Sequence, residues 1–273
     1  MRNAAEKNEK YILVTGDDAV ERLELQNRLF AKETKAHLQK AKLSKGMIIW
    51  EVGCGVGTMT GYLANEVGET GHVYALDISK EQLETAEKRI RSEGIKNVTF
   101  INGDINTLES TTTDLADLVY MRFVLMHLEY PENAIEKIKK LLKKGGVIVS
   151  QESITSTILN QGIDVIDHYT KTAMSLAKHN NIDYDIGNRM EALYKQAGFN
   201  PVNVYYNQQK VQAADFQKML LMSFCEWKNK AIELKIATEK QVEIWEKEIE
   251  AIPTNDQHLM FDIFKQAHAL AWK

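Results

Sequence analysis

A short apolar run that ends in three alternating glycines constrains the fold more than any other feature of this sequence. Residues 47–52 are mostly apolar, and Gly53, Gly55 and Gly57 follow them. A short continuous apolar run suits a strand that is buried on both faces. Glycine permits tight turns, and the first N–H groups of a following helix can hold an anionic group. The segment therefore predicts a strand–turn–helix unit that binds an anionic ligand.

The N-terminal half of the chain alternates short apolar runs with helical patterns. Asp17 or Asp18 can cap a first helix. Strands are predicted at 47–52, 72–76, 98–101, 115–121 and 147–151, and helices at 57–67, 79–93 and 131–144. Strands that alternate with helices at this spacing predict right-handed βαβ units around a parallel sheet, so the predicted fold class is α/β.

The second half of the chain breaks this alternation. We expect mostly helical insertions at about 153–184 and 212–258, because apolar residues recur there at helical spacing. A further helix is predicted at 185–197, a long strand at 199–211 and a short closing strand at 267–272.

The composition excludes several classes of protein. The chain has 34 Lys and Arg against 38 Asp and Glu, a balance that argues against a nucleic-acid partner. No apolar run approaches the roughly 18 residues of a membrane span, and residues 1–10 are too polar for a secretory signal. Two cysteines cannot form a disulfide framework or a metal cluster by themselves. We therefore expect a cytoplasmic protein with no bound metal and no membrane partner.

The glycine turn resembles the first motif of class I S-adenosylmethionine-dependent methyltransferases. A dinucleotide-binding fingerprint would require a third glycine at position 58, where the chain has Thr58. Further family motifs fall at their usual places, each at the end of a predicted strand. They are Asp77, Asp104 with Ile105, and Arg122, and Gly145-Gly146 precedes the fifth strand.

This resemblance implies a fold, a cofactor and roles for individual residues. The fold is a Rossmann-like sheet of seven mostly parallel strands, with helices on both faces and a helical cap formed by the insertions. Asp77 would accept hydrogen bonds from both ribose hydroxyls, and Asp104 and the Ile105 N–H would contact the adenine. The main chain near Arg122 would meet the methionine ammonium. The full set of cofactor-binding candidates is Tyr11, Gln26, Glu51, Gly53, Cys54, Gly55, Gly57, Asp77, Ile78, Asp104, Ile105, Arg122 and His127.

The N-terminal segment resembles the lid of some small-molecule methyltransferases, in which a tyrosine and a glutamine reach the methionine end of the cofactor. Tyr11 and Gln26 are the matching residues. We therefore divide the chain into a lid and helix at 1–45 and a methyltransferase domain at 46–273. The alternative is that Tyr11 packs on the domain surface and Gln26 faces solvent.

The expected acceptor is a small molecule, as in ubiquinone-biosynthesis and natural-product methyltransferases. The loop after the fourth strand lacks the proline-rich motif of amino-methylating DNA enzymes, and Met121 and Arg122 stand where catechol-type enzymes hold a metal. Apolar side chains of the insertions could line an acceptor pocket or simply pack the cap. They are Tyr169, Met174, Tyr184, Met219, Met222, Phe224 and Trp227.

No catalytic base is assigned from the sequence. His127 and Glu152 are candidates, and a structural role for His127 is an open alternative. The acceptor atom could be oxygen, nitrogen or carbon. A cofactor-binding module without transferase activity, a methyltransferase that acts on a protein and a homodimer formed through the insertions are also open.

Overall fold

The protein is described by a computed structural model over residues 17–108 and 114–273. The helices are α1 Asp17–Lys40, α2 Thr60–Val67, α3 Lys80–Ser92, α4 Pro131–Leu141, α5 Val165–His179, α6 Met190–Gln196, α7 Ala213–Glu233 and α8 Glu239–Glu250. The strands are β1 Ile48–Val52, β2 His72–Asp77, β3 Val98–Asn102, β4 Ala116–Arg122, β5 Leu142–Ile154, β6 Val202–Asn207, β7 Lys210–Gln212, β8 Met260–Asp262 and β9 Lys265–Trp272. Within these ranges no helix is long and apolar enough to cross a membrane.

Seven of the strands form one sheet in the order β3-β2-β1-β4-β5-β9-β6. The pairs from β3 to β5 are parallel, and β9 runs antiparallel to both of its neighbours. The predicted α/β fold with a mostly parallel seven-stranded sheet is therefore confirmed. The C-terminal strand lies inside the sheet, between β5 and β6.

Both faces of the sheet are covered, because successive strand residues point to opposite sides. Trp50, Val119 and Ile148 belong to a core that includes side chains of α4 and α6. Ile49 and Val149 belong to a second core, which α1 and α2 complete. Such two-sided burial explains the continuous apolar runs in the sequence of the central strands.

A third core forms the helical cap over one end of the sheet. It joins α5, α7 and α8, with Phe216, Phe224 and Trp227 among its buried residues. Helix α1 connects the cap to the sheet, since Leu25 and Phe30 belong to the cap core and Leu38 to the core beneath the sheet.

The prediction of a single strand at 199–211 is wrong, because this segment contains two strands that belong to different sheets. β6 pairs with β9 in the main sheet, whereas β7 pairs with β8 in a separate two-stranded sheet. Between them, the Gln208 side chain donates to the Ile263 carbonyl and the Gln209 side chain to the Leu29 carbonyl. Alternation of apolar residues continues through this break, so periodicity alone does not reveal it.

Candidate functional site

A cavity of about 430 Å³ lies between the cap and the carboxyl ends of the central strands. In open α/β sheets, ligands bind in the crevice at this edge. Four groups of residues line it: the α1 face, the turn after β1, the ends of the next strands, and cap side chains. In the part of the chain that is described, no three His, Cys, Asp or Glu side chains are placed to hold a metal ion.

The turn after β1 is tight, and its glycines are required by the packing. Gly53, Gly55 and Gly57 have φ angles of 72°, 56° and 76°, which side-chain-bearing residues rarely adopt. A Cβ atom on Gly53 would lie 2.5 Å from Cγ2 of Val124, and one on Gly57 would lie 3.0 Å from Cβ of Ala86. The turn therefore lies directly against the loop after β4 and against α3.

Asp77 ends β2 and holds the glycine turn in place. Its Oδ2 accepts a hydrogen bond of 2.8 Å from the Gly55 N–H, and its Oδ1 accepts one of 2.9 Å from the Ser79 N–H. Burial raises the pKa of this carboxyl, and the backbone hydrogen bonds oppose that rise. A carboxylate has about four lone-pair positions, so Asp77, which borders the cavity, can accept further hydrogen bonds there.

The loop after β3 brings a second carboxylate to the cavity wall. Asp104, Ile105 and Asn106 all line the cavity. Asp104 Oδ1 accepts a hydrogen bond of 2.8 Å from the Asn106 N–H, which fixes the loop. The Asn106 Oδ1 atom is buried and has no hydrogen-bond partner among the described residues. Sequence reasoning missed Asn106, although it lies two residues after Asp104.

The remaining motif residues divide between the cavity wall and the layer behind it. Ile78 and Arg122 border the cavity, and the Arg122 guanidinium donates to Asn27 Oδ1 and Thr34 Oγ1 at 3.2 and 3.3 Å. Glu51 lies behind the wall and accepts a 2.6 Å hydrogen bond from Thr60. Burial raises the pKa of Glu51 to about 7. Cys54 and Gly57 also lie outside the cavity lining.

The two candidate bases have different positions. His127 lines the cavity, and burial, with the nearby Arg22 charge, lowers its pKa to about 3. Its imidazole is therefore neutral and weakly basic. Glu152, the other candidate, does not line the cavity and is fully buried. Its carboxylate accepts hydrogen bonds from the N–H groups of Val124, Leu125 and Met126 at 3.0, 2.8 and 3.3 Å.

Helix α1 supplies one wall of the cavity through Arg22, Leu23 and Gln26. Sequence reasoning identified Gln26 but missed Arg22, which lies four residues earlier on the same helix face. Arg22 is only 2% exposed, and its Nε donates a 2.9 Å hydrogen bond to Glu226 of α7. Tyr11, the other lid residue, lies outside the described residues.

Aromatic side chains dominate the cap end of the cavity. Those on its wall are Tyr169, Tyr184, Trp227, Phe123 and Phe264. The rings of Tyr169 and Trp227 lie 5.3 Å apart, and those of Phe123 and Phe264 lie 5.6 Å apart. Met219 also lines the cavity, whereas Phe224 packs in the cap core and Met174 and Met222 lie outside the lining. The insertions therefore do both things expected of them: they line the pocket and they pack the cap.

A sequence profile described as a methyltransferase domain matches residues 43–255, which is more than half of the chain. The chain belongs to this methyltransferase domain family. The match confirms the family predicted from the glycine turn and the strand-end carboxylates.

Individual relatives agree with this family. Malonyl-[acyl-carrier protein] O-methyltransferase of Paenibacillus sp. is 26% identical over 163 residues, 59% of this chain and 58% of the relative. Demethylmenaquinone methyltransferase of Anoxybacillus flavithermus is 27% identical over 125 residues, 46% of this chain and 52% of the relative. The chain thus spans just over half the length of these curated relatives.

A solved structure shows the same fold. The Haemonchus contortus phosphoethanolamine N-methyltransferase 2, in complex with phosphomonomethylethanolamine and S-adenosylhomocysteine, superposes with a TM-score of 0.57. The two are 19% identical, and the match covers 89% of this chain and 52% of that one.

Proposed function

We propose that the protein is an S-adenosyl-L-methionine-dependent methyltransferase that acts on a small-molecule acceptor. One observation carries the proposal: the glycine turn and two strand-end carboxylates, Asp77 and Asp104, border a single cavity at the carboxyl edge of a parallel sheet. The family membership and the relatives' printed names support the same activity.

The side chains present fit this cofactor. Gly53 and Gly55 line the cavity, and because they have no side chains a ligand can approach their backbone closely. Asp77 offers acceptor oxygens suited to a vicinal diol such as the ribose hydroxyls. The buried, unpartnered Asn106 Oδ1 and the Asp104 carboxylate offer acceptors suited to the adenine amino group. Ile78 and Ile105 add apolar wall on either side.

When bound, S-adenosyl-L-methionine supplies a sulfonium-bound methyl group for in-line displacement by a nucleophile. The protein's own contribution would be positioning, which can account for a large share of such a rate enhancement. The cap and α1 form walls of the cavity and would limit the access of water to a bound cofactor. His127, with a pKa of about 3, is a poor acceptor for a proton. The Glu152 carboxylate is buried and already accepts hydrogen bonds from backbone N–H groups of the loop after β4. Neither is therefore proposed as a base.

We also propose that residues 1–45 act as a unit that covers the cofactor, with 46–273 as the methyltransferase domain. The contribution of α1 to the cavity wall through Leu23 and Gln26 supports this division. Deleting residues 1–16 tests the role of Tyr11, since unchanged cofactor affinity after that deletion would remove Tyr11 from the site.

The proposed activity is tested by incubating the protein with methyl-labelled S-adenosylmethionine and a cell extract. We expect label in the small-molecule fraction, and an Asp104→Ala variant should reduce it. Label in protein instead would favour a protein methyltransferase. No transfer from a protein that still binds S-adenosylhomocysteine would favour a binding module and overturn the proposed activity.

A further inference from the structure

The cap end of the cavity combines an apolar wall with one buried cation. The side chains of Tyr169 and Trp227 form part of the wall, and Arg22 lies among them at 2% exposure. Burying a guanidinium is costly unless it is paired, and Glu226 at 2.9 Å is one of its partners. Glu226 itself lies outside the cavity lining, so the carboxylate stands behind the guanidinium.

Arg22 belongs to the cap end of the cavity. Its partner Glu226 lies on α7, between Ser223 and Trp227, which both line the cavity. The charge of Arg22 acts on His127 and on the Tyr169 hydroxyl. Arg122, in contrast, is the cation that acts on Glu51 beneath the glycine turn. The two arginines therefore serve different parts of the cavity.

A guanidinium held in this way is suited to a second anionic partner. It carries five N–H donors in a planar fork, so one that is bound to a carboxylate through Nε can also donate to another acceptor. Charge-assisted hydrogen bonds gain strength in a site from which water is excluded. The aromatic rings on the same cavity wall favour a flat apolar body by offset or edge-on packing.

We propose that the methyl acceptor is a flat, apolar, ring-containing molecule that carries an anionic oxygen, such as a carboxylate or an acidic phenol, and that Arg22 binds this oxygen. This inference rests on the proposed function, since it identifies the acceptor class for the same cavity. Arg22 is then a specificity-determining residue, and Glu226 positions its guanidinium.

Removing Arg22 alone would take the Arg22 charge away from the buried Glu226 carboxylate, so the test uses the paired variant Arg22→Gln/Glu226→Gln. This pair can still form a hydrogen bond but carries no charge. The matched control is Arg28→Gln, which breaks another α1–α7 ion pair, that of Arg28 with Asp215. Arg28 is exposed and lies outside the cavity lining. Thermal unfolding of all three proteins checks that each variant is folded.

The binding experiment has two stages, each followed by isothermal titration calorimetry. S-adenosylhomocysteine is titrated first, and this stage tests the proposed function independently. The saturated protein is then titrated with three naphthalene probes of matched shape: 2-naphthoate, the neutral 2-naphthamide and the cationic 2-(aminomethyl)naphthalene. We expect wild type and Arg28→Gln to bind the anion about tenfold more tightly than the amide. The paired variant should bind both equally.

Several results would overturn the acceptor class while leaving the proposed function intact. They are tightest binding of the amide or the cation, failure of all three probes to bind, and a preference for the anion that survives in the paired variant. Weaker S-adenosylhomocysteine binding in the paired variant, with probe preference unchanged, would reassign Arg22 to the cofactor carboxylate. Failure of wild type to bind S-adenosylhomocysteine would instead refute the proposed function.

Discussion

Replacing Gly53 by alanine adds one methyl group where the turn after β1 meets the loop after β4. Gly53 has φ 72°, and left-handed backbone costs a residue with a Cβ about 1–2 kcal/mol. The new Cβ would also lie 2.5 Å from Val124 Cγ2, so the loop must shift. Overpacking of this kind costs about 1–3 kcal/mol, which gives about 2–5 kcal/mol in total.

Two further variants separate the strain from the clash. Gly94 has φ 75° and nothing within 4 Å of its would-be Cβ, so Gly94→Ala should cost only the strain of about 1–2 kcal/mol. Val124→Ala removes the clashing methyl, so Gly53→Ala should cost less in that background by about 1–3 kcal/mol. Urea unfolding is measured on wild type, on the three single variants and on the double variant Gly53→Ala/Val124→Ala. Equal destabilisation by Gly53→Ala and Gly94→Ala, with no coupling to Val124, would refute this reasoning.

Three other side chains give sharp predictions. Glu152→Ala leaves three backbone N–H groups of the loop after β4 without their acceptor. It should lower the free energy of unfolding in urea by about 2–4 kcal/mol, and a loss under about 0.5 kcal/mol would contradict this role. The His127 imidazole, with a pKa of about 3, should show no change of its proton-NMR signal between pH 5 and 8. The signal is assigned by its loss in His127→Gln. A titration midpoint near the unperturbed histidine pKa would show that the ring is not desolvated. Burial and the nearby His37 and Lys40 charges lower the pKa of His268 to about 3, so its contribution to stability is complete above the unfolded-state pKa and is lost as pH falls from there towards 3. Between pH 6 and 5 the unfolding free energy of wild type should therefore fall by about 1.2 kcal/mol more than that of His268→Phe, and parallel pH profiles would exclude this linkage.

The sequence was sufficient for the parts of the fold that depend on local pattern. The strand–glycine–helix unit depends on residues that are close in sequence. Its three glycines are needed because positions 53, 55 and 57 have positive φ angles, and this is why the unit could be identified from the sequence. Asp77 and Asp104 reach one cavity because the carboxyl ends of parallel strands meet at one edge of a sheet.

Features that depend on long-range packing could not be predicted. The 267–272 segment lies inside the sheet as β9, and periodicity contains no information about strand order. The position of Glu152 follows from strand alternation: Ser150, on the same face, contacts Tyr194 of α6, so Glu152 points beneath the loop after β4. Arg22 could have been predicted from the sequence, because it precedes Gln26 by four residues and therefore lies on the same helix face.

The most direct test of the account is calorimetric titration of S-adenosylhomocysteine into wild type, Asp104→Ala and Asp256→Ala. Asp256 is a matched control, because its Oδ1 accepts a 2.8 Å hydrogen bond from the N–H two residues later, as Asp104 does, but it lies outside the cavity lining. We predict saturable binding to wild type and Asp256→Ala, and a loss of about 1–3 kcal/mol in Asp104→Ala. No binding to wild type, or equal affinity in all three proteins, would contradict the account.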